Sequence, residues 1–292
     1  MRNAQLPTDF SSVTEAPRIK VTPEGAAMLY TRYRFAARFC EGKDVLEVGC
    51  ATGMGLGYLA RHARTVVGGD FTESLLRKAQ SHYRGRFPLV RLDAHALPFR
   101  DASFDAVILF EAIYYLARPR EFFTECRRVL HPDGVLLLCS VNQAWEGFQP
   151  SPFSTRYFSA GELSGMLLDG GFQAEVFSAF SSSPASLSQK VAAAARKAAV
   201  RLHLFPKTMS GKEILKKLFY GPLVELREEI EDGIAPMEPL SPVSNGDGAG
   251  GQKVLYVCAR RIAAAQAFCS PISSVAPEQG SPSLHDSHGR IE

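Results

Sequence analysis

The sequence predicts an α/β protein built on a doubly wound, mostly parallel sheet of seven strands, with a helical insertion between the sixth and seventh. Three observations carry that expectation. Short, nearly continuous apolar runs recur along the chain, as strands buried on both faces require. Segments of helical period separate them, the alternation that a parallel sheet needs for its crossovers. A turn of small residues follows the first apolar run, at the edge where such sheets bind ligands.

Residues 1–21 mix Pro, Ser, Thr and charge without period and are expected to form a flexible arm. Thr22-Pro23-Glu24 opens a helix: Thr22 can cap, Pro23 suits the first turn, and Glu24 meets the positive end of the dipole. That helix should run to about Phe39 and end near Gly42. Val45-Leu46-Glu47-Val48 is the first strand, and residues 65–69, 89–92, 106–110 and 135–139 repeat the pattern. Helices fit between them at 56–62, 73–83 and 120–130. Pro119 marks a helix start, and His131-Pro132-Asp133-Gly134 reads as a stop and a turn. Ser159-Ala160-Gly161-Glu162 is a capping box whose helix Gly170-Gly171 closes. Residues 173–180 form the sixth strand and 253–259 the seventh. The insertion, 183–232, has its own helix starts at Ser186-x-x-Gln189 and Ser210-x-x-Glu213. Residues 233–252, rich in Pro, Gly, Ser and Asp, are expected to be a flexible return loop. The folded domain thus spans 22–262, followed by a flexible tail over 263–292.

Composition excludes several classes. Of the 292 residues 46% are hydrophobic and 22% charged, so a core is available and a wholly disordered chain is excluded. The net charge of +3 makes no case for nucleic-acid binding. No run reaches the roughly 18–20 apolar residues of a membrane span, and the start lacks the apolar stretch of a secretory signal. Six scattered cysteines without a Cys-x-x-Cys pair suit a reducing compartment, so a soluble cytoplasmic protein is expected. No His, Cys, Asp or Glu grouping has metal-ligand spacing. From 187 to 217 eight Lys or Arg face one acidic residue, Glu213. Such a segment is a solvated helix, a lid, a dimer surface or a peripheral contact with an anionic membrane. The acidic run Glu225, Glu228, Glu229, Glu231 and Asp232 weakens the membrane reading.

The chemistry concentrates in Glu47-Val48-Gly49-Cys50-Ala51-Thr52-Gly53-Met54-Gly55. Small residues at 49, 51 and 53 let a ligand approach backbone N–H groups closely. A dinucleotide loop of the Gly-x-Gly-x-x-Gly type fits poorly, because Ala51 and Met54 fall on its second and third glycines; a nicotinamide oxidoreductase is disfavoured. An acidic residue at 47 would repel a pyrophosphate but could accept from a cationic ammonium. Asp70 ends the second strand 21 residues after Gly49, where a ribose diol is usually held; a helix cap is its plain structural alternative. Asp93-Ala94 ends the third strand, where a carboxylate could accept from an exocyclic amine, with Phe71 placed to lie against a base. His95 beside it reads as a surface residue.

These blocks, together with Leu97-Pro98-Phe99-x-Asp101-x-Ser103-Phe104-Asp105, Glu111 and Arg128-Val129-Leu130-His131-Pro132-Asp133-Gly134, resemble the class I S-adenosylmethionine-dependent methyltransferases, especially their small-molecule branch. The resemblance covers about 25–180 plus the seventh strand. It implies S-adenosyl-L-methionine as cofactor. By position, Glu47 and the backbone of Gly49, Cys50, Ala51 and Gly53 would hold the methionine part. Asp70 would bind the ribose, Phe71 would touch adenine, Asp93 would accept its amine with the Ala94 amide beside it, and Glu111 would close the methionine side. Tyr33 on the leading helix could reach the cofactor carboxylate.

Two departures from the family pattern stand out. Ala51 replaces the commoner Gly, and Tyr114-Tyr115 stand where many relatives place Glu-His, so the histidine base often proposed there is missing. Tyr115 is then the one candidate to orient an acceptor hydroxyl, although an aromatic wall is its simpler reading. The segment 145–158, holding the single tryptophan, is either a stacking pocket or a loop clamped by its own aromatics. The function this implies is methyl transfer to an O or N atom of a small-molecule acceptor, such as a sugar, a lipid-linked intermediate or a specialised metabolite, by a monomer or homodimer. The alternative is a non-catalytic cofactor-binding partner protein.

Overall fold

The computed structural model describes residues 9–145, 148–182, 222–244 and 249–262. Both capping-box segments of the insertion, its basic stretch and the tail beyond 262 lie outside them. In chain order the elements are β1 (Lys20–Val21), α1 (Pro23–Cys40), β2 (Asp44–Val48), α2 (Leu56–Leu59), β3 (Thr65–Asp70), α3 (Glu73–Tyr83), β4 (Leu89–Arg91) and β5 (Phe104–Phe110). A 3-10 turn over Ile113–Tyr115 precedes α4 (Pro119–Val129), β6 (Leu130–Val141), α5 (Ala160–Asp169), β7 (Phe172–Ser181), β8 (Val224–Glu225), β9 (Ser241–Pro242) and β10 (Gln252–Arg261).

The main sheet has the order β4-β3-β2-β5-β6-β10-β7-β9. β2 pairs in parallel with both β3 and β5, and β3–β4 and β5–β6 are also parallel. β10 runs antiparallel between β6 and β7. The chain leaves β2 in one direction and returns on its other side, so β2 marks the switch point at which such sheets open a crevice. The seven expected strands are all present; the eighth, β9, is a two-residue edge within 233–252, paired to β7.

Strand alternation sorts the core into two layers. Val45, Ala106, Ile108, Leu137 and Tyr256 face α1 and α2, whereas Leu46, Val107, Leu109, Leu138 and Val257 face α4 and α5. The helix starts follow their local chemistry. Thr22 accepts from the Gly25 amide at 3.0 Å, and Ser159 and Glu162 form a reciprocal capping box, each cap worth about 1 kcal/mol.

Four local expectations are corrected. α2 is a single turn ending at Leu59 rather than 62, because Ala60 to His62 continue as turns. His131–Gly134 is not a turn: α4 ends at Val129 and Leu130 passes straight into β6, with the register shift against β5 absorbing the polar residues. The described part of the return loop is anchored, since Ile234, Ala235 and Leu240 pack on the core and the Glu238 amide reaches Thr31 Oγ1 at 3.0 Å. Residues 9–21 are tied down as well. β1 pairs with β8, and the Phe10 amide donates to Thr72 Oγ1 at 3.2 Å.

Candidate active site

β2 ends at Val48 and the chain turns tightly above it. Gly49, Ala51 and Gly53 all have positive φ (74°, 54° and 80°). The turn is pinned to β3 by the Gly49 and Cys50 amides on the Gly69 carbonyl, at 2.7 and 3.0 Å. Ala51 is the costly member, since a left-handed residue with a Cβ is strained by about 1–2 kcal/mol. Its amide donates to Asp70 Oδ2 at 2.8 Å, which helps offset that strain. From the opposite side the Tyr83 hydroxyl donates to the Gly53 carbonyl (2.7 Å) and accepts from the Gly57 amide (3.2 Å). The Tyr33 ring rests on Gly55, where any Cβ would lie 1.8 Å from Tyr33 Cε1.

A cleft of about 560 Å³ opens above the turn, a size suited to a small-molecule ligand. Asp70, Phe71, Asp93 and Ala94 line it on the β3–β4 side of β2, and Glu111, Tyr114 and Tyr115 on the β5 side. Gly49, Cys50, Ala51 and Tyr33 lie between them. The sequence-selected residues therefore converge on one cavity, with two exceptions. Gly53 supports the turn from behind, against Tyr83. Glu47 lies beneath Tyr33 and is not a lining residue.

Glu47 accepts from the Tyr33 hydroxyl on Oε1 at 2.6 Å, while Oε2 is buried without a partner. Burial pushes its carboxyl up to about 7. The Tyr33 hydroxyl is therefore committed to Glu47, which corrects its expected reach to a cofactor carboxylate. Asp70 accepts from the Ala51 amide on Oδ2 and from the Thr72 amide on Oδ1 at 2.7 Å. It is a cleft wall that also braces the turn into α3, but it is not the helix cap: Thr72 holds the N-cap position, without a side-chain cap bond. Burial raises its carboxyl above the usual range despite those amides.

His95 corrects the surface reading: its side chain is only 11% exposed, against 49% for Asp93. The His95 ring Nδ1 and backbone amide both reach Asp93 Oδ1, at 2.6 and 2.9 Å, and Nε2 accepts from the Arg118 amide at 3.2 Å. That pattern places the proton on Nδ1. Burial pushes the Asp93 carboxyl up, and the two bonds from His95 more than offset it, leaving it below the usual carboxylate range.

Glu111 follows β5 in a left-handed backbone (φ 50°). Its carboxylate accepts from the Tyr114 hydroxyl at 3.0 Å and the Cys139 thiol at 3.4 Å. Burial raises it above the normal range. Tyr115 shares a hydrogen bond with Ser151 Oγ at 2.7 Å. The segment 145–158 combines both of its readings. Tyr157 stacks on Tyr114 at 4.3 Å and packs against Phe148 at 4.5 Å, while Gln149, Ser151 and Tyr157 also line the cleft.

Three residues at the cleft that bear on its chemistry, Arg32, Glu15 and Phe10, were not expected from the sequence. Arg32 is buried and pairs through Nη2 with Glu15 of the leading segment, and its Nε has no partner. The spacing of Leu29, Tyr33, Ala36 and Cys40 puts positions 32 and 33 on the inward face of α1, a signal that could have found Arg32. Phe10 sits across the cleft mouth, 5.2 Å from Tyr115 and 6.3 Å from Phe71 between ring centroids. Nothing local in the sequence announces Phe10 or Glu15.

Residues 46–138 match the family model described as a methyltransferase domain. Over that segment the chain is similar to S-adenosylmethionine-dependent methyltransferases. A Mycolicibacterium smegmatis protein described as a probable S-adenosylmethionine-dependent methyltransferase is 38% identical over 152 residues, 49% of this chain and 57% of that protein. The chain thus spans about half the length of such curated relatives. A fatty-acid O-methyltransferase of the same organism is 42% identical over 100 residues, 33% of this chain and 36% of that protein. In architecture, the chain resembles a SAM-dependent methyltransferase from Thermotoga maritima, with a TM-score of 0.51 at 17% identity over 80% of this chain and 90% of that one. Among the described residues no helix is long and apolar enough to cross a membrane.

Proposed function

We propose that this chain binds S-adenosylmethionine and transfers its methyl group to an oxygen or nitrogen of a small-molecule acceptor that has a substantial apolar part. The observation that carries the reading is the strained turn at Ala51, locked to Asp70, with Asp93 on the same cleft wall. It presents backbone and two carboxylates to one ligand.

The donor set fits that cofactor. Asp70 lines the cleft, where its carboxylate can accept from ribose hydroxyls. Among the described residues the bonds to Asp93 all use Oδ1, which leaves Oδ2 for an adenine amine, and exposed Phe71 offers a ring face. When bound, the cofactor supplies a methyl group on a sulfonium, activated for in-line displacement. The protein's part is to align the acceptor and exclude water. Phe10, Tyr115 and the 148–157 segment close the mouth for that purpose. Apolar lining from Val13, Met28, Leu29, Leu116, Val141 and Val254 supports an acceptor with an apolar body, and a fatty-acid O-methyltransferase among the relatives points the same way.

Isothermal titration of the purified chain with S-adenosylmethionine and S-adenosylhomocysteine tests the reading. Micromolar binding of both is expected; no heat from either, with folded protein, refutes it.

A further inference from the structure

None of the residues 226–232 lines the cleft, yet they close on the back of its glycine turn. Leu226 and Ile230 are buried in the core. The Ile230 amide donates to the carbonyl of Met54, the residue after Gly53, at 3.0 Å. The Glu229 carboxylate lies against Gly57 of α2, so that a Cβ there would stand 1.8 Å from Oε2. Its Oε1 meets His82 Nε2 at 2.9 Å near the end of α3. Asp232 accepts from Tyr30 of α1 and Tyr58 of α2. The stretch is itself anchored to the leading segment: the Arg18 amide donates to the Leu226 carbonyl at 2.8 Å, and the Leu226 amide to the Ile19 carbonyl at 2.9 Å. One short stretch thus ties α1, α2 and α3 together around the turn.

The turn needs fixing at both ends. Three of its residues, Ala51 among them, hold a left-handed backbone, and such a conformation persists only where the surroundings over-determine it. Its entry is fixed by Gly49, Cys50 and Ala51 on Gly69 and Asp70. Its exit is fixed by the Gly53 and Met54 carbonyls, taken by the Tyr83 hydroxyl and the Ile230 amide. Glu229 serves both exit contacts: it precedes Ile230 in the chain, and it anchors His82, the neighbour of Tyr83.

We propose that Glu229 and Ile230 are positioning residues for the cofactor: they hold the exit of the glycine turn so that its N–H groups stay where the methionine part of S-adenosylmethionine binds, without touching the cofactor themselves. This rests on the methyl-transfer reading above. It also gives the acidic run that follows the insertion a task inside the fold. With that support removed, the turn stays tethered to β3 by its entry but spends part of its time outside the binding geometry.

The test is titration calorimetry on the full chain with S-adenosylhomocysteine and with 5′-deoxy-5′-methylthioadenosine, which lacks the amino-acid part. No heat from S-adenosylhomocysteine on the wild type sinks the methyl-transfer reading and this proposal with it. Glu229→Ala should bind S-adenosylhomocysteine about three- to tenfold more weakly, the loss expected when the competent turn falls to between about a third and a tenth of the population. The smaller nucleoside should change by less than about twofold. A purely structural role would lower the fraction of active protein and leave the ratio of the two affinities unmoved. Gly57→Ala pushes the same carboxylate away from the other side and should repeat the loss, and the double variant should be no worse than either single one. Glu228→Ala, which removes only the exposed pair with Arg18 at 3.4 Å, should leave both affinities unchanged. Three results overturn the proposal while wild-type binding, and with it the methyl-transfer reading, stands: unaltered S-adenosylhomocysteine affinity in Glu229→Ala, equal loss for both nucleosides, or additive losses in the double variant.

Discussion

Glu47 makes the pH dependence of folding a direct test of the site geometry. Its side chain is buried, with one bond from Tyr33 and one bare oxygen. Burial carries the carboxyl from 4.5 up to about 7. Between those values the native protein keeps a proton that the unfolded chain has released. The associated stability is fully present below about pH 4.5, declines as pH rises and is lost above about 7. At about 1.4 kcal/mol per pH unit, ionising this group in the fold costs roughly 3 kcal/mol. Glu47→Gln keeps the shape and an oxygen for Tyr33 but cannot ionise. Its buried amide adds an offset of about 1–3 kcal/mol that is the same at every pH, so the slope is the quantity to read. Urea unfolding of both proteins at about pH 5, 6, 7 and 8 should show the variant gaining on the wild type by roughly 2–3 kcal/mol across that range. Parallel stability curves would refute the buried, half-satisfied carboxylate.

Other positions give independent tests. Gly69→Ala would place a Cβ 2.2 Å from Leu92 Cδ2 in the core beneath the cleft, and an overpacking loss of about 1–3 kcal/mol is expected in urea unfolding. Asp70→Ala should weaken S-adenosylhomocysteine binding by about 1–3 kcal/mol; calorimetry showing unaltered affinity would exclude the ribose role. His95→Ala frees Asp93 Oδ1 from both its ring bond and its ordering, so a Kd about two- to tenfold weaker for S-adenosylhomocysteine is expected, with 5′-deoxy-5′-methylthioadenosine weakened equally because both carry adenine. Phe10→Ala removes the ring between Phe71 and Tyr115, and stopped-flow measurement should show faster S-adenosylhomocysteine release with little loss of thermal stability.

The sheet was legible because its signals are local. The β-branched runs at 45–48 and 106–110, and the stops between them, sit where packing put the strands. The strand-end acids were legible through spacing, since Asp70 and Asp93 must follow β3 and β4 wherever those strands end. What escaped was set by contacts distant in sequence. Glu15 meets Arg32, and Asp232, read as part of an acidic run, accepts from both Tyr30 and Tyr58 at 3.0 and 2.8 Å. His95 looks exposed in a polar context but is covered by the chain leading into α4 at Arg118. Tyr33 does line the cleft, but its hydroxyl is taken by the buried Glu47, a partner that its place in the sequence does not announce. The edge strand β9 has only two residues, Ser241 and Pro242, and no composition signals a strand that short.

β10 occupies an interior slot of the sheet although it is synthesised about 70 residues after β7, its neighbour on one side. Until Gln252–Arg261 has emerged from the ribosome, β6 and β7 each expose a bare edge rich in valine, leucine and phenylalanine. Such edges are templates for pairing with other nascent chains. Production of this polypeptide should accordingly be sensitive to translation speed and to chaperone supply, and shortening it before residue 252 should yield aggregates.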